Sequence, residues 1–153
     1  MTNKRAKEIF FQNDGQYYPM AHDGFYEEYK SYNVSKETEE KWIKELIKLR
    51  LKEFKRTSDF IYLSPLVNHY NKYDLLDELL SVKIKGTHIN RLVIIELLTK
   101  LLCKNRKKIE NYKDKKTVIK NIIAAFAEEN LPKKDAEHIK CRLKQVKKKL
   151  RIK

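Results

Sequence analysis

After Ser35, apolar side chains recur at intervals of three and four residues, the spacing of one buried face on an α-helix. The first run of these positions consists of Trp42, Ile43, Leu46, Ile47, Leu49 and Phe54. Ser35 is a preferred N-cap residue, and three glutamates follow in the first turns, where they favour the positive end of the helix dipole. The pattern predicts an amphipathic helix from Ser35 to about Arg56, with lysine and glutamate on its outer face.

The same spacing predicts five further helices. Their approximate limits are 64–71, 74–85, 88–104, 118–129 and 134–150. Ser64 with Pro65, Asp74 and Thr87 are the expected starts, since Ser, Asp and Thr cap helices and proline suits the first helical position. The polar stretch 104–116 is predicted to be a loop or a weak exposed turn of helix, with Ile109 and Tyr112 as its apolar anchors.

Two of these helices differ sharply in their apolar pattern. Helix 88–104 is apolar almost all round, which marks it as the central element against which the others pack. The last helix has one narrow stripe, which comprises Ile139, Leu143, Val146 and Leu150. That stripe is enough to dock the last helix on the rest of the domain.

Short capped connections between these helices predict an all-α fold, either an irregular helical bundle or a HEAT-like α-α stack. Leucine doublets such as Leu75-Leu76 and Leu97-Leu98 resemble those of HEAT-like helix pairs, but there is no clean period of about 40 residues. We expect one domain over 1–153, with an aromatic N-terminal appendage at 1–34 and a helical body at 35–153.

Residues 1–34 have a different pattern. Segments 6–12 and 16–18 are predicted to be two strands joined at Asn13-Asp14-Gly15, a strong turn signal. The alternative is an irregular aromatic segment with a single helical turn. A two-stranded hairpin is marginal by itself, and its nearest apolar partner in the sequence is the helix that contains Trp42.

The stretch FFQNDGQYYPMAHDGFYEEYKSYNVSKETEEKW, about a quarter of the chain, resembles the N-terminal segment of small uncharacterised proteins of low-GC Gram-positive bacteria. The resemblance rests on turn, aromatic and acidic positions. It implies a bacterial cytoplasmic origin, and no activity is established for that family.

Five of the nine tyrosines lie between residues 17 and 32. Tyrosine supplies large contact area at a low entropic cost, so this segment is a candidate protein-binding surface. The candidate residues are Tyr17, Tyr18, Phe25, Tyr26, Glu27, Glu28 and Tyr29. The more ordinary outcome is that these rings pack against one end of the helical core.

The net charge of +14 is concentrated in the last third, where residues 104–153 contain 18 basic and 6 acidic side chains. Such asymmetry favours an anionic partner. The alternative is a solvated lysine-rich surface, since 28 of the 35 basic residues are lysine and arginine recognises bases and phosphates better.

The candidate nucleic-acid-binding residues lie on or next to the last helix. They are Lys133, Lys134, Lys140, Arg142, Lys144, Lys147, Lys148, Lys149 and Arg151. Gln145 is nearly the only side chain there of a type that reads base edges, so the pattern supports non-specific binding to phosphates. A basic amphipathic helix of this kind also suits an anionic membrane surface, but it lacks aromatic anchors.

Catalytic, cofactor and metal sites are not indicated. The sequence contains none of the glycine-rich or nucleophile motifs GxGxxG, GxxxxGK[ST] and GxSxG. His22 and Asp23 with Glu27 and Glu28 are close in sequence but lack metal-ligand spacing. Cys103 and Cys141 stand far apart, which favours a reducing compartment. No segment has the length of a membrane span or the pattern of a secretory signal.

We therefore expect a non-catalytic cytoplasmic protein. Binding of an unidentified protein partner is the first hypothesis, and non-specific nucleic-acid binding by the basic C-terminal half is the alternative.

Overall fold

The structure is a computed structural model that describes residues 2–71 and 73–153. Over these residues the chain is helical and contains no strand, which confirms the predicted all-α class as an irregular helical bundle. The helices are α1 (Thr2–Gln12), α2 (Tyr17–His22), α3 (Tyr26–Ser31), α4 (Lys36–Thr57), α5 (Phe60–Asn68), α6 (Leu76–Leu80), α7 (His88–Asn105), α8 (Tyr112–Ala127) and α9 (Lys133–Leu150). None of these described helices has the length and hydropathy that a bilayer crossing requires.

Contacts divide the chain into two compact units, Met1–Arg50 and Leu51–Lys153, and the division falls inside α4. The first unit joins the aromatic segment to the first part of α4, where the rings of Phe10 and Trp42 lie 5.5 Å apart. The single domain expected from the sequence stays a prediction.

The predicted N-terminal hairpin is wrong, because both of its proposed strands are helical. Segment 6–12 belongs to α1, and 17–18 begin α2. In α1 the buried side chains are Ala6, Ile9 and Phe10, which are three or four residues apart. This helical spacing, rather than alternation, governs the segment.

The turn at Asn13-Asp14-Gly15 is confirmed, but it ends a helix instead of joining strands. The N–H of Gly15 donates to the carbonyl of Phe10 at 2.8 Å, and that of Asp14 donates to Phe11 at 3.3 Å. Asp14 has φ = +49°, so this is a Schellman C-cap. A left-handed turn signal therefore identified the break in the chain but not the elements on either side of it.

Other predicted helix limits are also corrected. Helix α5 begins at Phe60, where the Asp59 carboxylate accepts from the N–H of Ile61, so Ser64 is not its cap. Helix α6 runs from Leu76 to Leu80 instead of 74–85, and Leu75 rather than Asp74 is at its N-cap position. Helix α8 begins at Tyr112, which makes helical part of the stretch expected to be a loop.

Helix α7 is the centre of the second unit, as predicted, and packs against α5, α6, α8 and α9. Its cap is confirmed, since the Thr87 hydroxyl accepts from the N–H of Asn90. The expectation of apolar burial all round fails at Ile89, which is 69% exposed. All four residues of the α9 stripe are buried.

The side chain of Asn90 holds together two connections of the second unit. Its amide nitrogen donates to the carbonyls of Ser58 at 2.8 Å and Lys85 at 3.0 Å. Its amide oxygen accepts from the N–H of Phe60 at 3.0 Å. One amide thus satisfies backbone groups of the α4–α5 turn and of the segment before α7.

Candidate functional site

The aromatic residues proposed as a protein-binding surface differ widely in exposure. Tyr18 is 82% and Tyr17 49% exposed. Phe25, Tyr26 and Glu28 are half-buried, Glu27 is exposed and Tyr29 is buried. The group therefore combines packing residues with an exposed edge around Tyr18.

The Glu39 carboxylate, on the first turns of α4, is an acceptor for two of these tyrosines. The hydroxyl of Tyr29 donates to it at 2.5 Å, and that of Tyr17 donates at 2.9 Å. Burial, followed by the hydrogen bond to Glu39, raises the pKa of Tyr17 to about 12. The same causes raise the pKa of Tyr29. Both phenols are thus stabilised in their protonated form.

A second carboxylate, that of Glu28, is also engaged within the first unit. Arg5 Nε donates to Glu28 at 3.0 Å, and the hydroxyl of Tyr32 donates to it at 3.0 Å. These bonds, with that of Arg5 first, lower the pKa of Glu28. The Arg5 guanidinium also lies 5.7 Å from the ring centre of Phe25. Intramolecular contacts therefore occupy much of the proposed protein-binding group.

The nine basic residues proposed for nucleic-acid binding are all exposed. From His138 to Lys153 the sequence has eight lysines and arginines and no acidic residue. Within the described residues, Arg142 pairs with Glu96 at 3.3 Å. The other eight have no ion pair there. Their ammonium and guanidinium groups therefore face solvent.

A groove of about 440 Å³ lies where the end of α9 meets the first turns of α8. Five of its lining residues are cations, and we call them the basic end: Lys113, Lys116, Lys120, Arg151 and Lys153. The other lining residues described are Thr117 and Ile152, and neither carries a charge. The groove therefore has a concentrated positive potential.

A C-cap positions the α9 side of this groove. The N–H of Arg151 donates to the carbonyl of Lys148 at 3.1 Å, and that of Ile152 donates to Lys147 at 3.0 Å. Arg151 has φ = +51°, the left-handed conformation of a Schellman motif. The chain thereby leaves the α9 axis and contributes 151–153 to the groove.

Sequence reasoning missed four members of the basic end: Lys113, Lys116, Lys120 and Lys153. It placed the start of α8 about six residues too late, so Lys113 and Lys116 were assigned to a loop. With the helix starting at Tyr112, positions 113, 116 and 120 fall on one helical face. Helical spacing of lysines was the signal that could have found them.

Comparison with protein-family models, curated proteins and solved structures gives no match. The resemblance of the N-terminal stretch to proteins of low-GC Gram-positive bacteria therefore stays a prediction.

Among the described residues there is no group of three or more His, Cys, Asp and Glu side chains that could hold a metal ion. His22 Nδ1 lies 2.9 Å from Asp23 on an exposed surface.

Proposed function

We propose that the protein is a non-catalytic binding protein that holds nucleic acid non-specifically, through phosphate contacts made by the basic end and by Lys148 and Lys149, which are exposed on the last turn of α9. The observation that carries this proposal is the convergence of five cationic side chains on one groove, without an acidic side chain among its described lining residues. Cations placed in this way release counterions from a nucleic acid when they contact its phosphates.

The spacing of the α8 lysines fits a phosphate backbone. Lys113, Lys116 and Lys120 occupy about 10 Å of helix, at a rise of about 1.5 Å per residue. One strand of DNA presents a phosphate about every 3.4 Å along the duplex axis. About 10 Å of one strand therefore carries about four phosphates, and the three long, flexible lysine side chains can each reach one of them.

The composition of the surface favours attraction without base recognition. Arg151 is the arginine of the proposed surface, and the remaining cations are lysines, which act as point charges. Gln145 is the one amide side chain of α9, and a single contact to a base edge gives little discrimination. The protein should accordingly bind many sequences with similar affinity.

Binding of a protein partner by the aromatic segment becomes the second candidate. Its support is the exposed ring of Tyr18, next to the half-exposed Tyr17. It ranks below nucleic-acid binding because Tyr29 and Glu28 are engaged within the first unit, whereas the cations of the basic end have no ion pair among the described residues.

The cytoplasmic location is part of the same proposal. Both cysteines, Cys103 and Cys141, are thiols, as is usual in a reducing compartment.

The decisive experiment is a salt titration of binding. Fluorescent single-stranded and duplex oligonucleotides are titrated with protein at about 50 and 200 mM salt, a range over which several phosphate contacts change affinity by orders of magnitude. The test variant carries Lys113→Gln, Lys116→Gln and Lys120→Gln. The matched control carries Lys44→Gln, Lys48→Gln and Lys52→Gln, three exposed lysines of α4.

We expect the test variant to reduce the slope of log affinity against log salt by about one for each lysine. The control should bind like the unsubstituted protein. An equal loss of affinity in both variants would show that net charge alone, and not the basic end, causes the binding. Absence of oligonucleotide binding at low salt would reject the proposal.

A further inference from the structure

A second groove, separate from the basic end, lies where α9 meets the C-terminal end of α8. Its volume is about 490 Å³, and its floor is formed by Leu131, Ala136, Ile139 and Leu143. Ile139 and Leu143 are buried members of the α9 stripe, whereas Leu131 and Ala136 are half-buried. The alanine leaves room on the surface of α9 where a larger side chain would fill the groove.

Three lysines, Lys140, Lys144 and Lys147, line this groove. We call them the lysine rim. They are four and three residues apart, so they share one face of α9 and extend over about 10 Å. None has an ion pair among the described residues. Glu129, also in the lining, is already paired with Arg91.

We propose that this groove binds an acidic amphipathic helix of a partner protein. The partner's apolar face would lie on the floor, and carboxylates one helical turn apart would meet the lysine rim. Helices commonly dock in this way through apolar anchors at i, i+3, i+4 and i+7. Acidic residues on a neighbouring face of the partner helix, at j, j+4 and j+7, match the spacing of Lys140, Lys144 and Lys147, because all α-helices have the same number of residues per turn.

The chemistry of the groove favours this occupant over two others. A second copy of this chain carries the same charge of +14, so the lysine rim would repel it. A nucleic acid could contact the lysine rim, but it would leave the apolar floor without a matching surface. The acidic amphipathic helix satisfies both parts of the groove.

The proposal is independent of nucleic-acid binding by the basic end, because the two grooves share no lining residue. It is tested with labelled helical peptides of about 18 residues, long enough to form helix. The probe has leucines at i, i+3, i+4 and i+7 and glutamates on the flanks. A second peptide has glutamine, and a third lysine, in place of every glutamate.

Two pairs of variants locate the site. Lys144→Glu reverses a charge of the lysine rim, and Lys120→Glu makes the same charge change at the basic end. Ala136→Trp fills the groove, and Ala124→Trp places the same ring on an exposed position of α8. Thermal melting followed by circular dichroism shows whether Ala136→Trp destabilises α9. If it does, Lys144→Glu still tests the site, because Lys144 is exposed and its substitution should leave the fold intact.

We expect saturable binding of the glutamate peptide by fluorescence anisotropy, weaker binding of the glutamine peptide and none of the lysine peptide. Lys144→Glu should weaken binding about tenfold or more, since like charges then face each other, and Ala136→Trp should abolish it. Lys120→Glu and Ala124→Trp should bind the glutamate peptide as the unsubstituted protein does.

Three results would overturn the proposal. The first is absence of peptide binding at concentrations up to about 1 mM, the weakest affinity of interest. The second is an equal loss in Lys120→Glu and Lys144→Glu. The third is displacement of the peptide by an oligonucleotide, together with a loss of oligonucleotide affinity in Lys144→Glu as large as the loss of peptide affinity. That result would assign the lysine rim to the nucleic-acid surface.

Discussion

The hydroxyl of Tyr29 donates to the Glu39 carboxylate at 2.5 Å, although the two residues lie on different helices, α3 and α4. Tyr29 is 4% exposed, and its ring lies 6.0 Å from that of Phe10. The bond therefore fixes a buried aromatic ring to the first turns of α4. Much of the aromatic concentration between residues 17 and 32 serves this packing.

Tyr29→Phe should reduce the free energy of unfolding by about 1–3 kcal/mol, because it removes a hydrogen bond from a buried phenol to a charged acceptor. Tyr17→Phe should cost less, since Tyr17 is half exposed. Urea denaturation followed by fluorescence of Trp42, the sole tryptophan, measures both variants. A larger loss for Tyr17→Phe would contradict the assigned importance of the Tyr29 bond.

Stability should fall as the pH rises above about 10, the ordinary pKa of tyrosine. The pKa of Tyr17 is raised to about 12 in the folded protein, and that of Tyr29 is also raised. The unfolded chain therefore loses these protons first, and the stabilisation present below pH 10 is lost through about pH 12. The double variant Tyr17→Phe, Tyr29→Phe should show a shallower decline in urea denaturation measured at pH 9 to 12. Identical pH profiles would refute the assignment.

Asn90→Ala should reduce the free energy of unfolding by about 1–3 kcal/mol, since it leaves the partly buried carbonyl of Ser58 and the N–H of Phe60 without their partner. Asn90→Asp keeps an acceptor for the N–H of Phe60 but removes both donated bonds, and it should also destabilise. Asn121→Ala, at an exposed position of α8, is the control and should change little. Urea denaturation followed by circular dichroism distinguishes them, and equal effects at 90 and 121 would contradict the role of the Asn90 amide.

Gly86→Ala should destabilise more than Gly24→Ala. Both glycines have positive φ, +95° and +79°, and a side chain there costs about 1–2 kcal/mol. A Cβ on Gly86 would also lie 2.9 Å from the amide nitrogen of Asn90, whereas one on Gly24 meets nothing within 4 Å. The Asn90 amide cannot move away without losing the bonds just described. Thermal melts of the two variants test the difference. Similar melting temperatures would show that the Asn90 side chain can move away from the new Cβ without a loss of stability.

Much of the helical body was predictable from the sequence because local signals there agree with burial. Thr87 caps α7, the α7 core is apolar over several turns, and the four apolar positions of α9 are all buried. The start of α5 was predicted wrongly, because Ser64 and Pro65 together form a helix-start signal, whereas Asp59 is the cap and Pro65 lies inside the helix.

The candidate sites were predictable only in part. The sequence identified the cations of α9, because charge is a property of composition. It did not identify Lys113, Lys116 and Lys120 as their neighbours, since that depends on how α8 and α9 pack. It also assigned Glu39 to the helix dipole alone, whereas its tyrosine partners come from elements 10 and 22 residues away.

The amino-acid sequence by itself determined the all-α class, the central helix α7, the buried face of α9 and the uneven charge. These properties follow from periodicity, capping and composition, which act over one or two helical turns. The tertiary structure alone decided that Asn90 joins two connections and that lysines from α8 and α9 line one groove. Each of these depends on contacts between residues distant in sequence, whose burial and hydrogen bonding outweigh local preference.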